Sequence, residues 1–325
     1  MNSTEKTNNQ LIMGFVNPNL FEKFAAFAAL ILLVIVFSII CPPFHTINNL
    51  LTVALQTSII SFIGIGVTFV IITAGIDLGI GSVIALAGVV TGLAMNAGVP
   101  SPIAILLGLV VGVICGLFNG FVISKMKLPP FIATLGMMMI ARGTALYITN
   151  AAPITVSSPF FDLLGSTIPG TIIPVPVIIM ILIALIFGFV LKKTRLGRYA
   201  YTIGSNEEAA RLSGLNINRT KYMLYAISGL LSAVAGIVLA SRLSTAQATA
   251  GNSYELDAIA SAVIGGTSLN GGVGTIMGTM IGAFIIGVLR NGLNMLGVSS
   301  FIQSIVIGGV LIVAVYIDQL RNKKA

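Results

Sequence analysis

Few residues in the apolar segments of this chain could do chemistry. They are Asp77, Arg142, Arg242, Asp257 and Arg290. An ionised side chain in hydrocarbon is costly, so each must face a protein interior or a wet edge. Arg142 is the most central; it either contacts a polar substrate or pairs with a carboxylate. Asp77 sits at a glycine-rich break and either holds a turn or takes up a coupling proton. Arg242, Asp257 and Arg290 fall near the ends of their apolar runs and read as interfacial. His45, the single histidine, lies at a run edge and reads as an interfacial side chain rather than a ligand. Cys41 and Cys115 frame neither a disulfide scaffold nor a metal site. The dipeptide Gly-Lys does not occur, so there is no G-x-x-x-x-G-K-[ST] loop for nucleotide phosphates, and neither G-x-S-x-G nor H-E-x-x-H is present. The chain therefore reads as a non-enzyme with no cofactor or metal of its own.

The elements that position these residues follow from composition. Of 325 residues, 56% are hydrophobic and 8% charged, and mean hydropathy is +1.05. Soluble domains carry roughly 25% charge. So much apolar surface cannot face water, which makes this an integral membrane protein. Its apolar runs are continuous rather than alternating, which disfavours a β-barrel. They fall at about 24–41, 54–74, 80–97, 103–124, 131–149, 172–191, 222–241, 257–269, 273–292 and 301–318. Threaded alternately from a cytoplasmic N-terminus, these runs put fourteen of the seventeen Lys and Arg residues inside: Lys6 and Lys23, then Lys125 and Lys127, then seven between Lys192 and Lys221, then Arg321, Lys323 and Lys324. That bias is the positive-inside pattern, so the net charge of +8 reports topology rather than nucleic-acid binding. The expected fold is an all-α polytopic membrane protein with about ten transmembrane helices, some short or broken, and both termini cytoplasmic. Its parts are a cytoplasmic tail at 1–23, a transmembrane domain at 24–318 with a cytoplasmic loop at 192–221, and a tail at 319–325. The run Phe24–Cys41 reads as a retained anchor rather than a cleaved signal.

Loop 192–221 holds nine of the 26 charged residues. Within it, Ser205 and Glu208 have capping-box spacing and Gly214 is placed to stop a helix of about two turns. So short a helix is marginal alone in water. It either rests on the membrane surface and neighbouring spans or docks a soluble partner. Outside, 150–171 carries one charge, Asp162, and three prolines, which suggests a structured cap. The run 257–269 is too short to cross a bilayer at ~1.5 Å per residue. The phrase that follows it matches Gly75–Gly81 at Gly266, Leu269 and Gly272, and paired interrupted segments point to a transport pathway. Gly108, Gly112, Gly116 and Gly120 form a ridge, as do Gly274, Gly278 and Gly282; such ridges permit close helix contact, either within one bundle or between subunits.

These features describe a transport subunit without a visible engine: a permease driven by a separate ATPase, an ion-coupled secondary transporter, or a non-transport scaffold. Particular phrases then carry a resemblance. Ile72–Ser82, Pro130–Leu135, Thr194–Tyr199, Tyr254–Ala260, Gly265–Leu269 and Asn291–Val298, in this order, resemble the ribose-type sugar permeases of bacterial ATP-binding-cassette importers. The resemblance implies a multi-pass subunit of the bacterial cytoplasmic membrane, working as a homodimer or related pair. It also implies a cytoplasmic ATPase that binds the ATP and Mg, and an extracytoplasmic sugar-binding protein. Glu208, Ala209, Ala210 and Gly214 resemble the element such permeases insert into their ATPase, so Glu207, Glu208, Ala209, Ala210, Arg211, Leu212 and Gly214 are the candidate coupling residues. The resemblance marks no small set of sugar ligands; Asp77, Asn119, Arg142, Asn291 and Asn294 are candidates for the substrate pathway. Ribose is the first choice of sugar, with other pentoses, hexoses and inositol as related possibilities.

Overall fold

The computed structural model describes residues 18–322, with side-chain environments from 26 to 320; most of the N-terminal tail and residues 323–325 lie outside them. Thirteen α-helices occur among the described residues, and each of the ten apolar runs coincides with one. In chain order they are α1 (Pro18–Ile40), α2 (Ile47–Ile72), α3 (Ile80–Asn96), α4 (Ser101–Ser124), α5 (Pro130–Thr149), α6 (Pro159–Leu163), α7 (Val175–Lys193), α8 (Arg195–Ser205), α9 (Glu207–Leu212), α10 (Ile217–Leu243), α11 (Tyr254–Ile264), α12 (Ile276–Met295) and α13 (Ser300–Asn322). Seven of them, α2, α4, α5, α7, α10, α12 and α13, are long and apolar enough to cross a membrane; Ala26–Ile40 and Ile80–Asn96 are shorter apolar helices. At 11 residues, α11 is too short to cross, in keeping with its short apolar run.

Helices α2 and α10, of 26 and 27 residues, are buried along most of their length. Each is followed by an irregular stretch and then a shorter helix: 73–79 leads into α3, and 244–253 into α11. The halves interlock, because α10 packs on α3 and α4 while α2 packs on α11 and α12. Around this centre, α7 and α13 turn Leu185, Ile186, Phe189, Ile305 and Ile312 outward. That apolar surface would be unfavourable in water and suits lipid.

The interior is tied together by small residues. The ridge Gly112–Gly116–Gly120 lies on α10: a Cβ on Gly112 would sit 2.6 Å from Ala233 Cβ, and one on Gly120 2.8 Å from Tyr222 Cα. Gly278 and Gly282 likewise face Gly265 and Ser261 at the end of α11. These contacts assign both ridges to packing within one chain. Several buried hydroxyls return to their own helices, as Thr91 to Ala87 O (2.9 Å) and Ser232 to Ser228 O (2.8 Å), which satisfies those donors inside the core.

The helix ends sort into two layers. At one end, the expected cap exists: β1 (Ile154–Thr155) pairs antiparallel with β2 (Thr245–Ala246), Asn96 donates to Thr155 O (3.2 Å), and Ser241 donates to Phe161 O at the base of α6 (2.6 Å). At the other end lie Lys127, Glu207, Arg211 and Lys221 around one groove.

Candidate functional site

The basic end is built around α9. Its N-cap is Asn206, whose side-chain oxygen accepts from Ala209 N–H at 2.9 Å. The expected cap was Ser205, but that residue still belongs to the last turn of α8, and the extended backbone at Asn206 (φ −164°) is what separates the two helices. Glu208 does not fold back as a capping-box partner; it pairs with Arg211 at 2.5 Å, and this fully exposed pair shapes the surface more than it stabilises it. Gly214 adopts φ +80° and stops the helix as expected, with Gly214 N–H bonded to Arg211 O and Leu215 N–H to Ala210 O.

One face of α9 is anchored and the other is free. Ala210 is buried against Ile203 and Ile217. Glu207 reaches Lys221 Nζ at 2.8 Å, joining α9 to the first turns of α10. Leu212, in contrast, is 80% exposed beside the Glu208–Arg211 pair. A groove of about 500 Å³ meets α9 at Glu207 and Arg211 and is lined also by Ala74, Lys127, Leu128, Pro130 and Lys221. Ala74 and Lys127, which end α2 and α4 in this groove, both have φ +56°, a conformation that costs about 1–2 kcal/mol for a residue with a Cβ.

Helix α8 connects α9 to the glycine-rich breaks. Gly272 N–H donates to Ile72 O at 2.8 Å, so the phrases around 75–81 and 266–272 meet directly. Gly204 lies over this junction: a Cβ there would collide with Ile72 O and sit 2.5 Å from Gly272 N. Tyr201 donates to Gly274 O at 2.6 Å, and burial pushes its phenol above the usual range, so it remains a donor at neutral pH.

The five pathway candidates do not converge. Asp77 is buried and fully engaged: Oδ1 accepts from Gly79 N–H (3.0 Å) and Oδ2 from Ser228 Oγ (2.8 Å), the turn-holding arrangement. Ser228 lies eleven residues into α10, about 16 Å from its start at 1.5 Å per residue. Asn119 is buried on α4, and its Oδ1 has no partner among the described residues. Asn291 accepts from Asn49 at 3.0 Å near the opposite end, while Asn294 is exposed one turn further along. Arg142 forms no ion pair among the described residues; its Nη1 donates to the carbonyls of Ala248 (2.5 Å) and Ala250 (2.8 Å), holding the irregular stretch before α11. Asp257 and Arg290, each read as interfacial, are partners: they form an ion pair at 2.7 Å in which Asp257 is 2% and Arg290 34% exposed, because α11 and α12 fold onto each other. Each stands alone near the end of its own run, and their partnership spans 33 residues, so no local signal announces it. Tyr201, Asn206 and Lys221 were also missed; only Asn206, a favoured cap type before Glu207, was open to sequence reasoning.

Residues 49–315 match the family described as branched-chain amino acid transport system / permease component. The chain is 45% identical to the ribose import permease protein of Haemophilus influenzae over 92% of this chain and 94% of that one. It is 47% identical to the ribose import permease protein of Bacillus subtilis, covering 93% and 94%, and 40% identical to the D-allose transport system permease protein of Escherichia coli, covering 93% of each. No solved structure matches.

Proposed function

The chain belongs to the transport-system permease family, and we propose that within it this protein is the membrane-spanning subunit of an ATP-binding-cassette importer for ribose. The observation that carries this reading is 45–47% identity over more than nine tenths of the chain to ribose import permeases, against 40% to the D-allose relative. The subunit passes through the bacterial cytoplasmic membrane about ten times, some passages short or broken, with α1 and α3 among the spans, α11 a broken segment that does not cross by itself, and the basic end cytoplasmic, the side that Lys and Arg favour. Two copies pair, an extracytoplasmic binding protein delivers the sugar, and a separate ATPase binds ATP and Mg.

In this reading α9 is the ATPase contact. Glu208, Ala209, Arg211 and Leu212 form its outer surface, Glu207 and Ala210 anchor it, and Gly214 ends it. Its support is the exposed Leu212, an apolar side chain that a partner would remove from water. Movement of α9 passes through Lys221 to α10, and through Gly204 to the junction of the two glycine-rich breaks. Asp77, Asn119, Arg142, Asn291 and Asn294 remain the pathway candidates.

The test is uptake of labelled ribose by cells carrying the complete transporter, with unlabelled xylose, allose, inositol and leucine as competitors. Ribose is expected to compete best. A protonophore applied with ATP held constant separates the engines. Retained accumulation supports ATP drive; collapse would establish the alternative, an ion-coupled secondary transporter.

A further inference from the structure

Glu255 takes no part in the ion pairs of the described residues, although Arg142 is near enough to interact with its charge. Its carboxylate faces the backbone N–H groups of Ser253 and Glu255, in the first turn of α11. It also lies against the start of α3: a Cβ on Gly81 would collide with Glu255 Oε2 and sit 2.5 Å from Gly251 O. The starts of α3 and α11 therefore meet at this carboxylate. Ser82, in the same turn of α3, is buried with its hydroxyl unpartnered among the described residues. Neither helix has a side-chain cap.

Arg142 approaches from α5. Of its five N–H donors, those on Nη1 are committed to Ala248 O and Ala250 O. Its hydrogen bonds among the described residues end there, and Nη2 and Nε keep three donors. A carboxylate offers about four lone-pair positions; the two backbone groups at Glu255 leave about two. The flank is open, since Asn252, Ser253 and Leu256 are exposed and nothing lies within 4 Å of the Cβ position on Gly143. One positive and one negative group, both with spare hydrogen-bonding capacity and no contact between them, suit a neutral solute rich in hydroxyls. A carboxylate can accept from two neighbouring hydroxyls while a guanidinium donates to a third oxygen.

We propose that Glu255 and Arg142 form a sugar-contact site between α3, α5 and α11, with Glu255 accepting hydrogen bonds from vicinal hydroxyls. This rests on the sugar-importer reading above. Arg142 positions the 247–253 stretch as well as donating to the sugar, so Glu255 is the residue to test.

The assay uses the complete transporter, with permease, ATPase and binding protein, in proteoliposomes. It follows labelled ribose and 2-deoxyribose transport, and ATP hydrolysis stimulated by sugar-loaded binding protein. Glu255→Gln is expected to lower ribose transport about tenfold, the loss typical of a hydrogen bond to a charged group. Stimulated ATP hydrolysis should stay within about twofold, judged against that same scale of effect. The preference for ribose over 2-deoxyribose, which lacks one of the vicinal hydroxyls, should fall towards one. Should Glu255→Gln fail to assemble, Glu255→Asp, which keeps the charge and retracts it by one methylene, is read by the same preference and is expected to lower it. Unchanged transport and preference in an assembled variant would overturn the proposal, as would an equal loss of transport and hydrolysis with preference unchanged, which is the signature of a purely structural role. A wild-type transporter that moves no sugar would instead refute the sugar-importer reading itself.

Discussion

The α4–α10 contact makes the strongest demand on a single atom. In Gly116→Ala, the added Cβ would sit 2.8 Å from Ala226 Cα and 2.8 Å from the carbonyl carbon of Tyr225, and closer still to Tyr225 O. All three are backbone atoms of a buried helix, so no flexible side chain can swing away. Because Tyr225 O is the closest of the three, reaching an ordinary contact of 3.4 Å requires the helices to separate by about 1.3 Å. Overpacking of this kind costs about 1–3 kcal/mol. Alanine recovers ~1 kcal/mol of helix propensity over glycine, which leaves a net loss of up to about 2 kcal/mol. At about 2–4 °C per kcal/mol for a chain of a few hundred residues, apparent Tm should fall by several degrees. The control is Gly188→Ala on α7, where the nearest atom to the new Cβ is Ile276 Cβ at 4.0 Å; there only the propensity gain operates and Tm should hold or rise. The assay is heating of the purified protein in detergent, followed by loss of the monodisperse peak. If Gly116→Ala is as stable as wild type while Gly188→Ala is not, the packing argument is wrong. A folded Gly116→Leu monomer that merely fails to pair would move the ridge to a subunit interface.

Other substitutions test other joints. Gly214→Ala meets nothing within 4 Å, so its effect is conformational only; φ +80° should cost about 1 kcal/mol, Asn should recover part of it, and uptake should follow the same order. Asp77→Asn keeps an acceptor for Gly79 N–H or Ser228 Oγ and should leave ATP-driven uptake and its pH response near wild type, whereas Asp77→Leu removes both acceptors and should reduce folded yield in membranes. Asp257→Asn leaves the Arg290 charge, itself about one third exposed, without its partner and should destabilise by about 1–3 kcal/mol. Replacing both together, as Asp257→Leu with Arg290→Met, should restore much of that by thermal unfolding.

The helical architecture was legible because lipid imposes a strong rule: every buried backbone group is satisfied within its own helix, so apolar runs and helices coincide. The stop at Gly214, the short α11 and the turn at Asp77 were legible for a local reason, since each depends on residues two to four positions apart. What distance in sequence conceals was not legible. The pairing of Asp257 with Arg290 crosses 33 residues, and the two carbonyls that Arg142 holds lie more than a hundred residues further along the chain. The glycine ridges could be recognised, but not the helices they face. At α9 the cap moved by one residue, from Ser205 to Asn206, because both types cap well and the break between α8 and α9 decided which of them did.

The glycine seam has a mechanical consequence. Where Gly112 faces Gly229, backbone lies on backbone, with no side chains between them to change rotamer and absorb strain. Helices α4 and α10 are thus short of internal degrees of freedom at their contact and should tilt together as one stiff beam. Lys221 at one end of that beam takes up the thrust of Glu207, and Ser228, two turns higher, grips Asp77. A small displacement of α9 would then reach the buried turn at 75–79 as a rotation rather than being dissipated on the way. The compliance that transport needs would have to reside in more loosely packed helices such as α5 and α13, whose glycines Gly136, Gly143, Gly308 and Gly309 have no neighbour within 4 Å.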